Sequence, residues 1–144
     1  MNLKFSMADV TDALTVYEMA ERMILQYEDP ESIDISKALA WTKRKITEHI
    51  TDYERILLND ETVGYFHWID HVTHWELDDF YILPQHRRNG IGAAALQERL
   101  NTVDKPVILY AFTQNLPAIR LYEKLGFALK TTVSDTRQIL RRDA

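Results

Sequence analysis

Residues 84–96 read PQHRRNGIGAAAL, with two glycines one residue apart between basic side chains and a run of alanines. Alanine is the best helix former, so the spacing predicts a helix from Gly90 to Leu100. The first N–H groups of a helix have no intrahelical acceptor, and the aligned peptide dipoles leave about half a positive charge there. Glycine lets an anion approach that backbone with no Cβ in the way. Arg87 and Arg88 add formal charge. A chain built this way needs a loop-to-helix junction open to an anion, and phosphate suits the pattern. The plainer alternative is a helix start flanked by two solvated arginines.

Periodicity on either side of this junction gives the remaining elements. Residues 2–6 alternate as a short strand. From Ala8 to about Tyr27, apolar residues fall at Val10, Leu14, Tyr17, Ala20, Ile24 and Tyr27, a helical stripe. Asp29-Pro30 ends it, because the residue before proline is pushed out of the helical region. A second helix is expected over Ser36 to Ile50. Residues 55–70 read as a hairpin around Asn59-Asp60-Glu61. Trp75 to Leu83 is a strand closed by Pro84, and Pro106 to Phe112 is a buried strand. Asn115 to Leu125 is a helix with Lys124 in its last turn and Gly126 at the C′ position. Phe127 to Val133 and Thr136 to Leu140 are two strands around Ser134-Asp135. The order βααβββαβαββ predicts an α/β (α+β) mixed sheet with helices packed on it. No repeat or linker divides it, so residues 1–144 are expected to form a single domain.

Composition removes several functions. The chain is 46% hydrophobic and 27% charged, as globular proteins are, and carries a net charge of −5. Broad nucleic-acid binding needs a basic face and is not expected. With no cysteine there is no disulfide, thiolate metal site or cysteine acyl-enzyme. No apolar run reaches the roughly 18 residues of a membrane span, and MNLKFSMADV lacks a signal-peptide core. A cytoplasmic location is the expectation, with no membrane or nucleic-acid partner.

Two phosphate-binding patterns compete for the glycine loop. Gly90-x-Gly92-x-x-Ala95 matches the dinucleotide fingerprint, but that pattern wants a strand running straight into its first glycine. It also wants an acidic residue about 20 positions on, where the chain has Tyr110-Ala111-Phe112-Thr113-Gln114-Asn115. Arg87-x-x-Gly90-x-Gly92, following Phe80-x-Ile82-x-Pro84, instead resembles the acyl-CoA loop of the GCN5-related N-acetyltransferase (GNAT) family. The resemblance extends to Asn115-x-x-Ala118-x-x-Leu121-Tyr122-Glu123-Lys124-x-Gly126-Phe127, which is similar to the family's second signature. One departure is Arg88, where the family often has glycine.

The resemblance implies the GNAT fold with splayed central strands, acetyl-CoA as co-substrate, and transfer of an acetyl group to a primary amine. It implies pyrophosphate binding by Arg87, Arg88, Asn89, Gly90, Ile91 and Gly92, with His86 as an addition. It implies pantetheine binding by the backbone of Phe80 and Ile82, extending to Leu83, so that the cofactor stands in for a strand. Tyr122 is implied as the acid for the leaving sulfur, since a phenol stays protonated at neutral pH. A tyrosine ring packed on the sheet is its plain alternative. Asn115 reads as an N-cap, and its counterpart in the family also contacts the cofactor.

For the base, alternation puts Glu76 and Asp78 on one face of their strand and Asp79 on the other. Glu76 lies near where many relatives carry a catalytic glutamate. Without cysteine, direct attack in a ternary complex is expected rather than a ping-pong route. The acceptor is a small-molecule or peptidic amine. A non-catalytic acyl-CoA-binding sensor is the rival reading, and a homodimer is consistent with the family's habits.

Two other clusters weigh less. His67, His71 and His74 lie in the hairpin region with the third facing away from the first two, so no metal is expected. The acidic segment Glu28-Asp29-Pro30-Glu31-Ser32-Ile33-Asp34 is either a solvated loop or an electrostatic lure for a cationic amine. Trp41, Trp68 and Trp75 either wall the acceptor pocket or fill core.

Overall fold

Asp9 decides where the first helix begins. In the computed structural model, which describes residues 1–144, its side chain accepts from Thr11 N, and Asp12 returns a bond to Asp9 N. This capping box winds Val10–Asp12 into a 3-10 turn, and α1 (Ala13–Tyr27) starts behind it. The expected start at Ala8 is therefore several residues early. The helix is rotated accordingly: Val16, Met19, Ala20 and Ile24 are buried, while Val10 and Leu14 face out. A stripe with period 3.6 fixes a helix but not its phase when the first turn is of another kind.

The acidic segment after α1 has structural duties. Asp29 accepts from Glu31 N and Ser32 Oγ, and Asp34 caps α2 (Ile35–His49) by accepting from Lys37 N.

Between β1 (Leu3–Met7) and β6, one seven-stranded sheet runs β1-β2-β3-β4-β5-β7-β6. Its other members are β2 (Tyr53–Leu58), β3 (Glu61–Asp70), β4 (Trp75–Ile82), β5 (Val107–Phe112), β6 (Ala128–Thr132) and β7 (Arg137–Arg142). Asn59 and Asp60 both have left-handed φ, 53° and 65°, which makes the β2–β3 connection a tight two-residue hairpin turn. Only β4 and β5 run parallel. Helices α3 (Ile91–Leu100) and α4 (Leu116–Lys124) share one cluster of buried side chains with the sheet, including Phe66, Leu96, Leu109 and Leu140. On the opposite face α1 and α2 pack over Tyr53 and Tyr65.

Two irregularities of β4 matter for the site. First, His67 pairs with Asp79 but Trp68 pairs with Leu77, so Asp78 is an extra residue, a bulge. The bulge resets the alternation and turns Asp78 and Asp79 to the same face, toward α2, against the expectation that Asp79 would point away. Second, β4 pairs with β5 only from Trp75 to Leu77. Beyond Leu77 the two strands part, as splayed central strands require.

Gly64 on β3 is where the sheet has no room to spare. A Cβ there would lie 2.3 Å from the carbonyl oxygen of Tyr81 on β4. Gly64→Ala is expected to destabilise the fold by about 1–3 kcal/mol, as overpacking does, read as a lower denaturant midpoint at constant m-value.

Candidate active site

The parting of β4 and β5 opens a pocket of about 400 Å³ between the sheet and α1/α2. Its polarity follows from strand geometry. Leu83 N donates to Val63 O, which makes Ile82–Gly64 a non-hydrogen-bonded pair of the antiparallel ladder. The N–H and C=O of Ile82, and of Phe80 two residues back, therefore point away from β3 into the gap. Leu83 offers no free backbone group there: its N–H is bonded to Val63 and its carbonyl accepts from His86 N. The Ile82 carbonyl accepts from Arg87 Nε at 2.9 Å.

At the end of β4 the loop delivers the open helix start that its glycines promised. Arg88 and Gly90 both adopt left-handed φ, 67° and 75°. The N–H groups from Arg88 through Gly92 have no acceptor within the chain. A Cβ on Gly92 would sit 3.3 Å from the Ile82 side chain, so this glycine also brings α3 close to β4. The Arg87 N–H is used within the 3-10 turn by Pro84 O, and His86 Nε2 lies 3.6 Å from Glu61. Arg88, Asn89, Gly90, Ile91 and Gly92 thus leave a run of backbone N–H groups open at the start of α3, and the buried His86 Nε2 beside it has no hydrogen-bond partner.

Tyr122 and Asn115 enter the same pocket from α4. Gly126, at φ 97°, closes the helix in a Schellman motif: Phe127 N donates to Tyr122 O and Gly126 N to Glu123 O. The accompanying hydrophobic contact is the Tyr122 ring edge-on to Phe127, 5.8 Å between centroids. A backbone stop signal thereby fixes the ring. The Tyr122 hydroxyl has no partner of its own. Burial, and then the nearby Asp79 charge, push its pKa well above the ordinary phenol value, so it stays protonated. Asn115 stands at the N-cap of α4, but its side chain makes no cap bond and remains free at the pocket wall.

Glu76 lines the pocket and holds one bond, from His71 Nε2 at 2.8 Å. Beside it lies a buried cluster that the sequence did not announce. Lys45 Nζ on α2 donates to Asp78 at 2.8 Å and Asp79 at 3.0 Å. Asp79 also accepts from the hydroxyls of Tyr53 and Tyr81, and Asp78 Oδ2 lies 2.8 Å from His67 Nδ1. His67 stacks on Tyr53 with centroids 4.3 Å apart. Burial opposes the charge on Asp78, but the His67 bond and the Lys45 ammonium prevail and hold its pKa below the ordinary carboxylate value. Burial likewise opposes the charge on Lys45, and the two carboxylates overcome it and raise its pKa.

The three histidines part company here. His67 joins this cluster, and His71 stacks on His74 beside Glu76. The ligand atoms of His67, Asp78 and Asp79 lie within 4.8 Å of one another, but the Lys45 ammonium already sits against both carboxylates. Trp41 reaches the pocket, whereas Trp68 and Trp75 pack on the α3 side of the sheet.

The family model for the acetyltransferase (GNAT) family matches residues 15–127, and the chain belongs to that family. No curated protein matches the sequence. Solved structures share the fold at low identity. A PaiA N-acetyltransferase from Thermoplasma acidophilum, in complex with coenzyme A, is 18% identical with both chains fully covered and a TM-score of 0.76. Ard1 from Thermoplasma volcanium is 21% identical over 100% of this chain and 99% of its own, at 0.69. YncA of Salmonella typhimurium, a putative acetyltransferase with acetyl-CoA, is 19% identical over 99% and 94%, at 0.62. The chain is thus a GNAT acetyltransferase by family, and no helix is long and apolar enough to cross a membrane.

Proposed function

We propose that the protein transfers an acetyl group from acetyl-CoA to a primary amine, by direct attack in a ternary complex. The observation that carries this reading is the open side of β4, where Phe80 and Ile82 present backbone groups to a gap that ends at the free N–H groups of Arg88 to Gly92. A pantetheine arm has amides to pair with the strand, and a pyrophosphate has the charge for the cradle. Arg87 would leave Ile82 O to a pantetheine amide and turn to the phosphates. Leu83 would contribute side-chain contact only, and Asn115 a free amide at the α4 end.

Acetyl-CoA supplies an acetyl group activated on sulfur. Glu76 takes the proton that the acceptor ammonium must lose before it can attack, and His71 gives that carboxylate a route to solvent. The N–C bond forms as the C–S bond breaks, and Tyr122 donates to the departing sulfur. The same desolvation that raises the phenol pKa raises that of the thiol, so donation is less uphill than aqueous values suggest.

Calorimetric titration with acetyl-CoA, with NADH as the control, tests the cofactor reading. Micromolar binding of acetyl-CoA and none of NADH is expected. Failure to bind acetyl-CoA overturns it.

A further inference from the structure

We infer that the acceptor is a short primary amine with an apolar, arylalkyl-type body, not a polyamine and not a peptide chain. The inference rests on the acetyl-transfer reading above and adds the class of the acceptor. Three features of the pocket carry it.

The first is a bridge across its edge. The Glu28 carboxylate, at the end of α1, accepts from Thr136 Oγ1 and lies 3.6 Å from Arg137, at the start of β7. One residue back, Tyr27 stacks on Phe112 with ring centroids 5.5 Å apart. Phe112 and Arg137 are themselves pocket residues. A chain lying across the pocket needs a groove open at both ends, and here the α1 wall is tied to the β5–β7 wall, so an acceptor enters from one side only. The pocket, about 400 Å³, must also take the acetyl end of the donor, which favours a compact acceptor over a long one.

The second feature is charge. Each carboxylate on the pocket wall already has a partner: Glu76 has His71, Asp78 has Lys45 and His67, and Asp79 has Lys45 and two tyrosines. Two cations, Lys45 and Arg137, line the same pocket. A polyamine needs a row of free carboxylates for its further ammonium groups, and none lines the wall.

The third is exposed aromatic surface. Trp41 and Tyr110 line the pocket yet are 58% and 46% exposed. Large apolar side chains left open inside a pocket mark where a ligand's own apolar body belongs, and aromatic pairs add to simple burial.

Conjugates in which the sulfur of CoA is linked to the acceptor nitrogen test this without depending on turnover. Calorimetry would compare CoA alone with conjugates of phenethylamine, of spermidine and of a short peptide's α-amine. The phenethylamine conjugate is expected to bind about tenfold or more tighter than CoA, a gain of one favourable aromatic contact set. The other two conjugates should gain nothing. Trp41→Ala, at a largely exposed position, should erase the phenethylamine gain and leave CoA affinity as it was. A polyamine or peptide conjugate that gains as much overturns the inference, as does the absence of any gain or a gain that survives Trp41→Ala. Failure of the acetyl-transfer reading would look different: either CoA alone fails to bind, or CoA binds and no amine, phenethylamine included, is acetylated.

Discussion

Tyr122→Phe lowers kcat by roughly 10²–10⁴-fold and leaves the affinity for acetyl-CoA nearly unchanged; this is the expected result if the hydroxyl serves the departing sulfur. Phenylalanine keeps the ring, so the edge-on contact with Phe127 and the Schellman closure at Gly126 are retained. Only a hydroxyl without an intramolecular partner is lost, so no buried acceptor is orphaned and stability should scarcely change. Steady-state kinetics with a short arylalkyl amine, alongside calorimetry, separates the two quantities. Full activity in the variant would remove Tyr122 from the chemistry and leave it as packing.

Lys45→Met should produce the largest loss of stability, about 3–5 kcal/mol near neutral pH, because it strands two neighbouring buried carboxylates without their cation. The Lys45 side chain is only 16% exposed, so water replaces the ammonium only in part. The pH dependence discriminates this from a simple packing defect. In the wild type, Asp78 is held below the ordinary carboxylate value, so its contribution is present above that value and fades as pH falls through the lower folded one. Lys45 is held above 10.5, so its contribution is present below that pH and fades as pH rises through the higher folded value. In the variant Asp78 loses the ammonium that helps hold its carboxyl low, so the deficit should shrink on acidification. Chemical denaturation across acidic and neutral pH measures this, and a pH-independent deficit would contradict the electrostatic account.

Much of the local geometry around the pocket is legible in the sequence, because it depends on local backbone chemistry. Glycines at 90 and 92 announce a helix start open to an anion. Pro84 closes β4, and Gly126 announces the turn that fixes Tyr122. What escaped depends on tertiary geometry. The bulge at Asp78 has no local marker: Glu76-Leu77-Asp78-Asp79 alternates plausibly as a regular strand, and only pairing with β3 reveals the extra residue. Lys45 resembles any lysine on a charged helix, although it follows buried Thr42 by three positions and precedes buried Ile46, which puts it on the inward face. Asp9 and Asp12 shift the start of α1 through a capping box in which aspartate replaces the usual glutamate. Asp29 and Asp34 were legible as charges, but not as the backbone caps they also are.

The short pairing of β4 with β5 has a mechanical side. Strands β1 to β4 form one continuous ladder and β5, β7 and β6 another, and only the pairs from Trp75–Val107 to Leu77–Leu109 join them by backbone. The sheet is therefore two blades on a narrow hinge, with the Glu28 contacts to Thr136 and Arg137 as a second fastening at the far edge. A molecule lying in the cleft, bonded to Phe80 and Ile82 on one blade and packed on α4 beside the other, would rivet them. The unliganded protein should then open along that seam before it unfolds globally, and its amides there should exchange with solvent ahead of those deep in either blade.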